Sequence, residues 1–256
     1  MGQQEQNDTH QDGAADTTTK ESPWNGQCWL ITGAAGDLGS ALAHFLAARG
    51  ATLVLLDKNK RGLDALADQL EASGADAPYL FPLDLGGASP EDYHRFAEVL
   101  GEHLGHLDGI IHAAAHFDGL TPVTQVPALQ WWVSLQANLS APLLMSRELL
   151  PLMKERGGHL VFLLDDVELT SQAYWGAYGV AQAGLQSLVQ QLAAELSNLP
   201  IQTRGLVLPP FRSGFRAKAY PAEDPESLTA PEHIAEQICN LLQDQSNTNT
   251  INKIAA

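Results

Sequence analysis

A chain of 256 residues with a 45% hydrophobic fraction can bury one sizeable core, which excludes wholesale disorder. Its formal net charge of −16 disfavours nucleic acid and anionic membrane surfaces as partners, because both present phosphate that calls for a basic face. No apolar run reaches the roughly 18–20 residues of a membrane span, and Cys28 and Cys239 form no CxxC or disulfide framework, so a reducing, cytoplasmic setting is expected.

Residues 1–25 are polar, rich in Gly, Thr and Asp, and lack the apolar segment of a secretory signal; a disordered tail is expected there, ahead of one continuous domain over 26–256. "QCWLIT" (27–32) reads as a buried strand, followed by a helix over 37–50 that stops at Gly50. "TLVLL" (52–56) is a second strand, and "RGLDALADQLEASG" a second amphipathic helix with a glycine stop. "APYLFPL" (77–83), "GIIHAA" (109–114), "GHLVFLL" (158–164) and "TRGLVL" (203–208) continue the strands, with helical stretches between them. Continuous apolar strands imply cover on both faces, and strict strand–helix alternation implies right-handed crossovers. The expected fold is α/β: a single, doubly wound parallel sheet of Rossmann type. In the long helical pattern after the fourth strand, Pro142 should bend or break the helix near "NLSAP". Trp131 and Trp132 are adjacent, so one is expected on the sheet and the other exposed or covered by a partner subunit.

The first strand ends in "TGAAGDLG", Thr32 to Gly39, and runs straight into a helix. Gly33, Gly36 and Gly39 let backbone approach a phosphate, while the first turn, with Asp37 and Leu38, offers unpaired amides and a positive dipole end. A dinucleotide's pyrophosphate fits this position. The Asp37 carboxylate, about 7 Å from it, would oppose each phosphate charge by roughly 2 kcal/mol at an effective dielectric of 20. Either its side chain turns to solvent or it weakens binding. Asp57, at the end of the second strand, can accept from both ribose hydroxyls and repel a 2′-phosphate, favouring NAD over NADP. Lys58, Lys60 and Arg61 follow and could serve a 2′-phosphate, or form a solvated helix start. Asp84 and Leu85, after the third strand, could frame an adenine ring.

Together with "LDGIIHAAA", "QANLSAPLLMSRELLPLM", "GAYGVAQAG" and "LPPFRS", these motifs resemble the short-chain dehydrogenase/reductase family over residues 26 to about 243. Within it, "AYWGAYGVAQAG" and "FRAKAYPAEDPESLTAP" are similar to bacterial YciK-type oxidoreductases. The resemblance implies a dinucleotide-binding domain, NAD(P)-dependent chemistry on a small carbonyl or alcohol substrate, and a homodimer or homotetramer formed through helices near 126–155 and 174–197. It also implies an asparagine, serine, tyrosine and lysine in the active site. Carried over by position, the asparagine is Asn138 and the tyrosine Tyr178, but the serine position holds Asp165 and the lysine position Gln182. Further departures are Asp37 for the more common glycine, "HAAA" with Ala113 and Ala114 for the segment that braces the sheet, and "LPP" with Pro209 beside the nicotinamide. The end of the chain puts the usual final strand in doubt.

Gln182 can hydrogen-bond a ribose but brings no charge to lower the Tyr178 pKa, and an ionised Asp165 would raise it. Alcohol oxidation through a tyrosinate should therefore suffer heavily. Carbonyl reduction should suffer less, because a neutral tyrosine still carries a proton. Asp165 is either a solvated acidic loop residue or, with its pKa raised by burial, a proton donor. The competing reading is a non-catalytic dinucleotide-binding or interaction protein that keeps the fold. His112 and His116 lack an acidic third ligand, so no metal is expected. Tyr174 is expected as pocket wall or core, and "FRSGFRAKAYPAEDPESL" as a lid or a surface loop.

Overall fold

The computed structural model describes residues 22–244 and 250–255. Seven parallel strands, β1 (Cys28–Thr32), β2 (Thr52–Asp57), β3 (Tyr79–Pro82), β4 (Gly109–His112), β5 (Gly158–Leu164), β6 (Ile201–Val207) and β7 (Ile251–Lys253), form one sheet in the order β3-β2-β1-β4-β5-β6-β7. Helices α1 (Asp37–Ala47), α2 (Lys60–Ala72), α3 (Pro90–Leu104), α4 (Ala128–Leu135), α5 (Ala141–Leu149), α6 (Val167–Thr170), α7 (Gly176–Glu195), α8 (Gly214–Ala219) and α9 (Pro231–Gln243) lie between them. This is the doubly wound sheet expected from the sequence. The doubtful final strand is present, with Gly205 to Val207 of β6 paired to Ile251 to Lys253.

Side-chain alternation divides the core. On one face Trp29 and Ile31 of β1 pack with Leu42 and Leu46 of α1 and Ile234 and Ile238 of α9. On the other, Leu30 joins Phe96 of α3, Leu149 of α5 and Val189 of α7. Each fully buried leucine or isoleucine contributes about 1.5–3 kcal/mol relative to exposure. Trp24, assigned above to the tail, is 2% exposed and meets Trp29 edge-on at 5.1 Å, so the fold takes in chain before residue 26. Burying an indole outweighs the polar setting of that segment. The rest of the expected tail, residues 1–21, lies outside the described residues.

Two local departures matter for the site. Residues Gln136–Ser140 form a π-helical turn between α4 and α5, and Pro142 sits in the first turn of α5, so the helix does not break at the proline but widens by a π turn just before it. Neither adjacent tryptophan is buried in the sheet: Trp132 is 66% exposed and Trp131 is half-buried, because the buried residue of α4 is Ser134, facing Asn138. β3 is an edge strand with Tyr79 exposed, not one covered on both faces.

Candidate active site

The strand order reverses between β1 and β4, and a cleft of about 270 Å³, open to solvent, lies at the carboxyl ends of those strands. Its walls include Thr32, Gly33, Gly36, Asp37, Leu38 and Gly39. Gly33 takes φ +66, and a Cβ there would meet the Ala114 Cα at 2.6 Å; a Cβ on Gly39 would run into the Gly33 carbonyl. The loop is thus wrapped tightly enough that backbone, not side chains, faces the cleft. Thr32 holds the opposite rim: its Oγ1 accepts from the amides of Ala113 and Ala114 at 3.1 and 3.2 Å. That contact ties the end of β1 to the two alanines that follow β4, whose own side chains carry no polar group.

Asp57 lines the same cleft, with its carboxylate held by the amides of Ala35 at 3.1 Å and Asn59 at 2.8 Å. Lys58, Asp84 and Leu85 line a smaller adjoining recess of about 80 Å³ that shares Gly33, Asp57, Leu85 and Ala114 with the main cleft. Asp84 is tied to its own turn through the Gly86 amide at 3.1 Å. Lys58, Lys60 and Arg61 are exposed. Pro209 does not line the main cleft; Leu208 does, and Pro209 lies on the wall of an adjoining cavity with Trp175 and Arg216 that shares Asp165 and Phe215 with the cleft. Leu208 extends the β6 ladder by donating to the Leu164 carbonyl at 2.9 Å, and successive extended residues point to opposite sides.

Tyr178 sits in the first turn of α7, 5% exposed, and its hydroxyl donates to Asp165 Oδ2 at 2.5 Å. Gln182, one turn further on and also buried, accepts from the Asp165 amide through Oε1 at 3.1 Å. The helical i, i+4 spacing and the end of β5 therefore bring all three predicted residues together. Asn138 is placed by the π-helical turn, where its Oδ1 accepts from the His116 amide and its Nδ2 donates to the His116 carbonyl, both at 2.8 Å. Asn138, Asp165, Tyr178 and Gln182 all line the main cleft.

Burial, then the Asp165 charge and hydrogen bond, push the Tyr178 phenol well above its ordinary value, with a weaker opposing contact from Gln182. Burial also raises the Asp165 carboxyl, against the lowering by the Tyr178 hydrogen bond and the Arg216 charge. The solvated-loop reading of Asp165 is thereby corrected: the residue is half-buried and its carboxylate is engaged by Tyr178. Asp37 is exposed, and its Oδ2 accepts from the Gly214 amide at 2.8 Å.

Spacing gave no sign of the aromatic enclosure. Phe117, Trp175 and Phe215 surround the Tyr178 ring at centroid distances of 5.5, 5.9 and 5.0 Å. Phe215 comes from α8, which is the lid-like segment. Lys218 donates to the Phe117 carbonyl at 2.8 Å, and Arg216 pairs with Glu223 at 2.6 and 2.7 Å. Tyr174, expected as wall or core, is 56% exposed with φ +77, on the outer side of the turn that leads into α7. His112 is buried, bonded to Ser146 Oγ at 2.9 Å and lowered by burial to about 3, whereas His116 pairs with Asp118. Among the described residues no group of three His, Cys, Asp or Glu side chains could hold a metal, and no helix is long and apolar enough to cross a membrane.

A parallel sheet with a glycine loop at its switch point, and a buried tyrosine facing that loop across one cleft, defines a dinucleotide-type oxidoreductase architecture. Residues 27–224 match the short chain dehydrogenase family, and the chain belongs to it. It is 30% identical over 234 residues to the oxidoreductase YciK of Escherichia coli K12, covering 90% of this chain and 92% of that protein. Among solved structures it is similar to a protein of Pseudomonas syringae assigned to the short chain dehydrogenases, with TM-score 0.86, 32% identity, and 91% and 96% of the two chains covered. A second such protein, from Escherichia coli CFT073 and complexed with NADPH, gives TM-score 0.86 and 29% identity over 91% and 98% of the chains.

Proposed function

We propose that this chain is a nicotinamide-dinucleotide-dependent oxidoreductase that acts on a carbonyl/alcohol pair and favours reduction, with Asp165 and Tyr178 working as one proton-donating pair. The observation that carries this reading is the 2.5 Å hydrogen bond between them inside the cleft. When bound, the dinucleotide would supply a hydride to the carbonyl carbon, and the substrate oxygen, left as an alkoxide, would need a proton. If Tyr178 alone gave it, a phenolate would be left in a buried site with a neutral glutamine where an ammonium would otherwise stabilise it. A protonated Asp165 removes that difficulty. Its O–H proton passes to the Tyr178 oxygen as the Tyr178 proton passes to the substrate oxygen. Tyr178 ends neutral, Asp165 ends as the carboxylate, and solvent returns the proton. The hydrogen bond from Tyr178 to Asp165 is the one this final state requires.

The glycine loop fits a pyrophosphate, since any Cβ at Gly33 or Gly39 would collide with backbone. Asp57 favours the form without a 2′-phosphate, so NAD(H) is preferred over NADP(H). The relative complexed with NADPH makes the phosphorylated form the comparison to run. Titration by tryptophan-to-nicotinamide energy transfer should give tighter binding of NADH, by about tenfold, through loss of one carboxylate–phosphate repulsion. Asp57→Asn should narrow the gap. Tighter binding of NADPH to the wild-type chain would overturn the preference.

A second reading, a dinucleotide-binding protein without turnover, draws on the enclosure of Tyr178 by Phe117, Trp175 and Phe215. NADH binding with no NADH oxidation across a ketone and aldehyde panel would favour it over the first.

A further inference from the structure

Asp37 occupies the first turn of α1, on the rim of the main cleft, yet its carboxylate reaches a residue 177 positions away, accepting from the Gly214 amide at 2.8 Å. Gly214 opens α8, so its amide has no acceptor within that helix. The next residue, Phe215, lies against both Phe117 and Tyr178. The other fastenings of α8 go elsewhere: Lys218 to the Phe117 carbonyl, and Arg216 to Glu223. Asp37 joins the glycine loop to the element that covers Tyr178.

We propose that Asp37 couples the dinucleotide site to the α8 lid: one carboxylate fastens Gly214 and, as an anion beside the phosphate loop, opposes the pyrophosphate. This rests on the dinucleotide-binding reading above. A fastened lid then weakens dinucleotide binding, and by thermodynamic reciprocity a bound dinucleotide loosens the lid to the same degree. Asp37 is exposed, so the repulsion is screened and should fade with salt.

The test titrates full-length wild type, Asp37→Asn and Asp37→Ala with NADH and NADPH at low salt and at about 0.5 M salt, and follows amide hydrogen exchange over Gly214–Ala219. Asparagine keeps an acceptor for Gly214 but removes the charge. It should bind both dinucleotides about three- to tenfold tighter than wild type at low salt, the difference shrinking at high salt. Alanine removes the acceptor as well, and should speed exchange over Gly214–Ala219 in the free protein. NADH should quicken that exchange in wild type more than in Asp37→Ala. Equal affinities for wild type and Asp37→Asn at both salts, or exchange that neither alanine nor NADH alters, would overturn the coupling while leaving dinucleotide binding intact. If neither dinucleotide binds any variant, the preceding reading fails, and the coupling with it.

Discussion

Asp165→Asn should lower kcat/KM for carbonyl reduction by about 10²–10⁴-fold, the usual contribution of a positioned proton donor. Asparagine preserves shape and can still accept the Tyr178 hydrogen bond. What it lacks is a proton that can be given up and regained. Because the loss falls on the transition state, kcat and kcat/KM should drop together while the NADH dissociation constant stays unchanged. Steady-state kinetics beside a fluorescence titration checks this. A variant as active as wild type would leave Tyr178 as the sole donor and Asp165 as a structural partner.

The second large effect concerns the reverse direction. Gln182→Lys combined with Asp165→Ser replaces a neutral amide and an anion by an ammonium and a neutral hydroxyl around the same phenol. Both changes favour the phenolate, whose pKa in wild type is driven up first by burial and then by Asp165. Alcohol oxidation at pH 7–8 should rise by at least about tenfold, since each pKa unit recovered multiplies the phenolate population by ten. The two sites touch through the Asp165 amide and Gln182 Oε1, so the single changes should not add to the double one. If oxidation stays at the wild-type level, the limit lies in the enclosed pocket instead of the phenol.

The sheet and the loop were legible because their signals are local. A buried strand, three glycines and a helix start occupy Cys28 to Ala47 without interruption, and a tight turn admits few other residue types. Asn138, Asp165, Tyr178 and Gln182 were located through the family resemblance, and they meet because helix α7 fixes the Tyr178–Gln182 relation and β5 delivers Asp165 beside them. The environment of Asp165 was not legible. Phe215, which encloses its partner Tyr178, and Arg216, whose charge acts on Asp165, arrive from chain about 50 residues away, and no periodicity records that. Asp37 shows the same limit: adjacency to the phosphate loop was readable, whereas its partner Gly214 lies across the whole domain. The final strand was doubted because the chain ends soon after "NTINKI", yet three residues suffice to add β7 at the edge of the sheet.

On the proposed mechanism, Asp165 must be protonated to drive reduction. Burial raises its pKa, so the required form persists to higher pH than for an ordinary carboxyl and is lost as pH rises through that raised value. The direct measurement is the pH dependence of reductive kcat/KM for wild type and Asp165→Asn. The wild-type rate should fall with rising pH along a single deprotonation above the usual carboxylate range, and the variant should show a low, flat profile. A wild-type profile that is flat, or that climbs with pH across that range, would contradict it.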